Sequence, residues 1–293
     1  MGDVVRGDWQ ENARTAPIQE FQPFSPAAAW EGRQAKAIDW MVEGCLIRGT
    51  VGILAGDGGL GKSLILQQLI TAAAFGMPWL GMATKPARSL AVFCEDDMDE
   101  LHRRQERINA HYGVRMSDLE PVMMESRPGR DCSLMKFERW GAAHRQTIMF
   151  DQLTYAAKKH KAEIIILDTL ADVFDGNEID RNQPRTFIRA LRKLAIEIQG
   201  AVLLTQHPSV EGMASGSGRS GSTAWSNSVR SRLYLTKPKG ADYQATNERW
   251  LRTMKMNSAQ SGGHQVVQWK DGVFQLMAPP APAPWAADRD WRE

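Results

Sequence analysis

A chain of 293 residues, 43% of them hydrophobic, is long enough to bury one large core, with or without a small second domain, and one domain with ragged ends is the expectation. The 36 basic and 34 acidic residues leave a net charge of +2, so bulk charge demands no polyanionic partner and any basic surface must be local. Cys45, Cys94 and Cys132 are odd in number and widely spaced, which argues against a disulfide framework or a zinc site; with no apolar run of membrane-spanning length and no basic-then-apolar leader, the expected location is the cytoplasm.

Residues 1–34 are polar and proline-bearing and read as a flexible arm. The run Thr50-Val51-Gly52-Ile53-Leu54-Ala55 then reads as a short buried strand. After a glycine-rich stretch, Leu64, Ile65, Leu66, Leu69 and Ile70 recur at helical spacing. Further strands are predicted over 90–94, 163–167 and 201–205, all aliphatic enough to lie inside a sheet covered on both faces. Helices are predicted over 97–112 and 146–160. A third opens at Pro184, presents Phe187, Ile188, Leu191, Leu194, Ala195 and Ile198 on one face, and is closed by Gly200. Beyond residue 230, Leu233-Tyr234-Leu235, 250–254, 266–269 and 273–276 read as antiparallel strands joined by turns such as Lys270-Asp271-Gly272. The proline- and alanine-rich stretch 278–293 is a tail. The expected fold is therefore α/β, a mostly parallel sheet flanked by helices with antiparallel strands at its C-terminal side, over residues 35–277.

The chemistry gathers at predicted strand ends. Gly56-Asp57-Gly58-Gly59-Leu60-Gly61-Lys62-Ser63 fits G-x-x-x-x-G-K-[ST] between a strand and a helix. Gly56, Gly58, Gly59 and Gly61 let backbone N–H groups close around phosphate oxygens, and the helix N-terminus at Ser63 and Leu64 adds partial positive charge. Lys62 is placed to bridge the β- and γ-phosphates and Ser63 to give a hydroxyl to Mg2+, which makes ATP with Mg2+ the expected cofactors. Asp168 ends an apolar strand and is the second Mg2+ residue; the plainer reading is a turn cap. It is followed by Thr169 rather than by a glutamate, so the water-activating base is sought at Cys94-Glu95-Asp96-Asp97, where Glu95 ends a strand. All three acids would also suit the positive N-terminus of the next helix. Gln206 and His207 end another strand and are candidate γ-phosphate sensors. The glycine- and serine-rich segment 209–223 around Arg219 should be mobile unless a ligand orders it, and a plain linker is the competing view.

With these residues in these positions the chain resembles the RecA-fold ATPases. More narrowly, Trp40–Gly44, Phe93–Asp97 with Leu101–Arg104, Leu167–Leu170 with Asn177-Glu178, and 221–230 look like the RepA-type hexameric replicative helicases of plasmids and phages. The resemblance implies a homo-oligomer, a ring of six subunits, with ATP between neighbours and single-stranded DNA in the central channel. It implies that Arg230 is an arginine finger completing the neighbour's site, that Lys255 is a second basic residue at that interface, and that His207 is the strand-end histidine. Without it, Arg230, Arg232 and Lys255 read as solvated charges. DNA contacts are implied for loops 172–185 and 209–223, with Arg181 and Arg219 as the named candidates, although Asp172, Asp175, Glu178 and Asp180 make the first loop poor in positive charge. A RecA-fold recombination or regulatory ATPase is the alternative. A small-molecule kinase is disfavoured by the arginine-poor loop, and an inert binding module by the presence of Lys62, Ser63, Glu95 and Asp168. Of the tryptophans, Trp79, Trp140 and Trp250 are expected in core or interface, and Trp225 either in the core or stacked on a base.

Overall fold

A computed structural model describes residues 25–137, 144–238, 247–259 and 261–277. Residues 1–24 of the expected arm, Trp140 and the expected tail 278–293 lie outside the described residues. The chain divides after Ala37. Before that point a single exposed 3-10 turn is described, Ala27–Trp30.

From Ile38 onward, a two-stranded ribbon, β1 (Trp40–Val42) and β2 (Leu46–Ile47), leads into β3 (Thr50–Gly56), whose residues are all buried. The helix α1 (Lys62–Phe75) is apolar nearly all round because it is sandwiched, packing on α2 (Met98–Tyr112) as well as on β3 and on β4 (Ser89–Phe93). Two buried hydrogen bonds, Gln67 Nε2 to Leu101 O at 2.8 Å and to Gln105 Oε1 at 2.9 Å, join the helices. There follow β5 (Val122–Ser126), a small sheet strand β6 (Met135–Phe137) with β7 (His144–Gln146), and α3 (Ile148–His160). Next come β8 (Ile164–Asp168), the one-turn α4 (Leu170–Val173), β9 (Phe174–Asp175), α5 (Asn182–Glu197) and β10 (Ala201–Gln206). Two short helices, α6 (Val210–Ala214) and α7 (Thr223–Ser228), precede β11 (Ser231–Thr236), β12 (Glu248–Met256), β13 (His264–Lys270) and β14 (Val273–Leu276).

Nine strands form one sheet in the order β14-β13-β12-β11-β3-β10-β8-β4-β5. The six from β11 to β5 run parallel, and β12, β13 and β14 are antiparallel. This is the mixed α/β sheet expected, with one correction: β11 is parallel to β3, pairing Ser231 with Gly52 and Leu235 with Gly56, so the antiparallel part begins at β12. The residues between β10 and β11, holding α6 and α7, are long enough for a crossover, which a parallel neighbour requires. One face of the sheet buries Leu54, Leu66, Trp79, Phe93 and Phe274; the other buries Ile53, Leu167, Phe187, Val202 and Trp225. Trp225 is core, packed edge-on against Phe174 with ring centroids 4.8 Å apart. Trp79 is also core, donating its indole N–H to Ile65 O at 2.9 Å, while Trp250 is half-buried. The three cysteines are free and buried.

Gly200 closes the end of α5 as expected, its N–H donating to Ala195 O at 2.9 Å, but the conformation there differs. The left-handed residue there is Gln199, at φ 50°, rather than Gly200. Gly200 is required for another reason: a Cβ at that position would stand 2.2 Å from the backbone oxygen of Glu163, where β10 begins beside β8. Gly200→Ala must force these central strands apart, an overpacking cost of about 1–3 kcal/mol. Thermal unfolding should show a melting temperature lower by several degrees, and an unchanged value would contradict this reading of the contact.

Candidate nucleotide site

The strand order brings the carboxyl ends of β3, β10, β8 and β4 side by side, and the sequence puts a polar or charged residue at or just past each of them. The loop after β3 is shaped by its glycines. Gly61 has φ 92°, and a Cβ there would meet the Phe274 ring at 2.6 Å; a Cβ on Gly56 would stand 2.9 Å from Leu235 O. Gly58 and Gly59 are exposed, and Leu64 is buried in the first turn of α1. Lys62 is buried at the start of α1 and donates to Gly56 O at 2.8 Å and Asp57 O at 3.0 Å, with His207 Nδ1 3.5 Å away. Burial holds its ammonium below the usual lysine range, opposed by the nearby charges of Asp168, Glu95 and Asp57.

Asp168 is 3% exposed and accepts hydrogen bonds from Thr205 Oγ1 and the Ser63 hydroxyl. Burial raises its pKa above the ordinary aspartate value in spite of these bonds and of Lys62. It is not a helix cap: that position belongs to Thr169, whose hydroxyl donates to Asp172 Oδ2 at 2.6 Å. Glu95 lies beyond β4, which ends at Phe93, so it is an exposed residue of the following bend rather than the last of the strand. Burial, then the charges of Asp168 and Asp172, raise its pKa, with His207 and Lys62 acting the other way. Its two acidic neighbours have structural partners. Asp97 caps α2 by accepting from Glu100 N at 2.7 Å, and Asp96 pairs with Arg104, Oδ1 to Nη2 at 3.0 Å.

Gln206 is 5% exposed, and its Nε2 has no hydrogen-bond partner among the described residues; Asp57 Oδ1 is likewise buried without one. A buried amide donor beside a lysine and a helix N-terminus fits a phosphate oxygen. Ser63 and Asp168 are the hydroxyl and carboxylate that would hold Mg2+, which when bound with ATP neutralises charge on the phosphates. Thr205, which orients Asp168, was not singled out in the sequence, where a lone hydroxyl ending the aliphatic run Ala201–Leu204 was the available signal, and Asp172, which raises Glu95, was read only as an acid of the first loop.

Arg230, Lys255, Arg219 and Arg181 are not in this cluster. Arg230 N donates to Val51 O at 3.1 Å, at the opposite end of β3 from Gly56. At about 3.3 Å per strand residue that is roughly 16 Å from the glycine loop of its own chain. Lys255 donates to Ser226 O at 2.8 Å and Val229 O at 2.9 Å, closing the end of α7 just before Arg230. Arg232 is buried, not solvated, and binds Ser226 Oγ and Ser217 O. The segment 209–223 is folded back on itself: Ser209 N donates to Arg219 O at 2.8 Å and Gly218 N to Gly212 O at 2.9 Å. It meets the other loop where Ser222 N donates to Glu178 O at 3.2 Å, while Arg181 and Arg219 are exposed. Three of the four acids of loop 172–185 are engaged: Asp172 by Thr169, Asp175 by Lys136 at 2.6 Å, and Asp180 by Asn182 N at 2.6 Å.

A glycine-loop strand, separated by one strand from the strand that ends in a buried aspartate, defines a P-loop nucleotide-binding ATPase core. Residues 15–213, well over half of the chain, match a family model described as AAA domain, and the chain belongs to that family. No curated protein is similar enough to the chain to be matched. Among the described residues no helix is long and apolar enough to cross a membrane.

Asp168 supplies a stability test. Its pKa in the folded chain is raised, so the folded state keeps a proton that the unfolded chain has released. Stability is therefore highest below the unfolded value and falls as pH rises through the folded one, and at neutral pH the ionised carboxylate is a cost. Asp168→Asn should raise the melting temperature in metal- and nucleotide-free buffer, by about 2–4 °C per kcal/mol relieved, while lowering ATP turnover. A lower melting temperature at neutral pH would contradict this account of the buried charge.

Proposed function

We propose that this chain is an ATP-hydrolysing, Mg2+-dependent motor on single-stranded DNA that works as a homo-oligomeric ring, most simply a hexameric replicative helicase. The observation that carries the reading is the separation of charges along β3. Lys62, Glu95, Asp168, Gln206 and His207 gather at one end, while Arg230 and Lys255 stand at the other, out of reach of the same nucleotide. An arginine in the bend just before β11, held by backbone bonds to Val51 and Asn257 and with the preceding turn fastened by Lys255, suits the site of an adjacent subunit. In that arrangement Glu95 orients the attacking water and takes its proton, Lys62 and the neighbour's Arg230 oppose the negative charge that develops, and Gln206 and His207 sense the terminal phosphate. DNA is assigned to the touching loops 172–185 and 209–223 through Arg181 and Arg219. Lys136 neutralises Asp175, whereas Asp172 and Asp180 accept only from a hydroxyl and a backbone N–H and keep their charge, so Arg219 in the other loop is the stronger of the two contacts.

A regulatory RecA-fold ATPase that switches without unwinding is the second reading, and the self-closed 209–223 segment favours it. Unwinding of a forked duplex in the presence of ATP separates the two.

Arg230→Ala should leave nucleotide binding intact and reduce ATP turnover by about 10³-fold or more, the range of an arginine finger. Normal turnover by a monomeric Arg230→Ala protein would end the in-trans reading. Because Glu95 must be ionised to accept a proton and its pKa is raised, turnover should climb with pH through a midpoint above the ordinary glutamate value. Steady-state rates across pH should show that limb in the wild type and only a low residual rate in Glu95→Gln; a vigorous, pH-independent rate in the variant would exclude Glu95 as the base.

A further inference from the structure

The helix α5 buries Phe187, Ile188, Leu191, Leu194 and Ala195, and its flank toward α3 carries Ala190, Lys193 and Glu197, with Glu197 held by Lys158 at 2.9 Å. Along its other flank run Arg181, at the N-cap, and Arg185, Arg189 and Arg192, spaced four, four and three residues apart, all exposed. Residues so spaced share one side of a helix. Among the described residues none of these four forms an ion pair or a side-chain hydrogen bond, whereas Arg48, Arg88, Arg103, Arg104, Arg115 and Arg127 each hold a carboxylate. Like charges at such spacings repel and weaken a helix, so the stripe works against the stability of its own element. A chain whose net charge is only +2 thus concentrates four uncompensated guanidinium groups on one line.

The stripe is about 16 Å long at 1.5 Å per residue, enough to meet several consecutive phosphates of one strand, which stand about 3.4 Å apart along the axis of a stacked duplex and farther apart in an extended single strand. It starts at Arg181, in the loop that touches segment 209–223 through Glu178 and Ser222, so it continues outward from the loops already assigned to DNA. Guanidinium groups suit phosphate better than ammonium groups do, since they bind two oxygens at once.

We propose that Arg185, Arg189 and Arg192 form a sequence-independent track for the phosphate backbone of single-stranded nucleic acid, leading to or from the loop pair at Arg181. The proposal rests on the DNA-motor reading and adds a contact surface on the outside of the helical layer.

The test is fluorescence anisotropy of a fluorescein-labelled oligothymidylate with full-length protein, at several salt concentrations, for the wild type, the triple Arg185→Ala/Arg189→Ala/Arg192→Ala variant and the corresponding triple Lys variant. Losing three phosphate contacts should lower the slope of log affinity against log salt by about 2 and weaken binding by about tenfold or more. The Lys variant should keep most of the slope. ATP turnover without DNA should not change, and the melting temperature should stay level or rise. A triple Ala variant with wild-type slope and affinity overturns the track but leaves the DNA motor standing. Wild-type protein that hydrolyses ATP and binds no oligonucleotide overturns the DNA reading and the track together. A variant whose mass by light scattering falls while its slope is unchanged assigns the flank to contact between copies, and also overturns the proposal.

Discussion

A buried ammonium facing carboxylates at the ends of parallel strands is the interaction on which the rest of this molecule depends. Lys62 and Asp168 are both largely removed from water, and burial alone disfavours the charged form of each. Their mutual attraction, with that of Glu95, offsets part of the cost and leaves the remainder to be relieved by a ligand that brings its own charges. The sheet makes the arrangement unavoidable: β10 alone separates β3 from β8, β4 lies next to β8, and Cys94 N binds Asp168 O at 2.6 Å, fixing the chain that carries Glu95 against the aspartate strand. Strain of this electrostatic kind is what a site gives up in stability to be ready for chemistry.

The same sheet keeps opposite charges apart. Because β11 is parallel to β3, its first residues lie at the far end from the glycine loop, and Arg230 inherits that distance. Lys255 and Arg232 spend their charge inside the chain, one closing α7 and the other pinning the 209–223 segment, so Arg230 is presented by a well-held turn. Under the proposed reading, a site short of one cation and a cation remote from its own site become complementary when one copy meets the next. The unpaired arginines of α5 are a second store of uncompensated charge.

Much of this was legible in the sequence. Four long aliphatic runs marked β3, β4, β8 and β10 within a residue or so, because strands covered on both faces leave no polar alternation to confuse the pattern. The glycine loop, Glu95, Asp168, Gln206 and His207 could be singled out because each stands where such a run breaks. The direction of β11 was hidden, since Leu233-Tyr234-Leu235 looks the same in either sense and only the crossover decides. Ribbons of two or three residues, β1, β2, β6, β7 and β9, are too short to show a period. Asp175 was counted as free charge, and its ion pair with Lys136, 39 residues away, depends on a partner that only tertiary structure supplies. Gly200 was read as a helix end, which its N–H does close, but its second constraint, the backbone of Glu163, is distant in sequence and was hidden.

The most direct test of the proposed site shared between copies uses two proteins that the proposal expects to be inactive. Glu95→Gln lacks the base but keeps the arginine, and Arg230→Ala lacks the arginine but keeps the base. Mixed in equal amounts under conditions that allow subunits to exchange, they should regain ATP turnover, because in a ring roughly a quarter of the interfaces would pair an intact Glu95 with an intact Arg230. A mixture no more active than its components, with exchange verified by mass, would contradict the account.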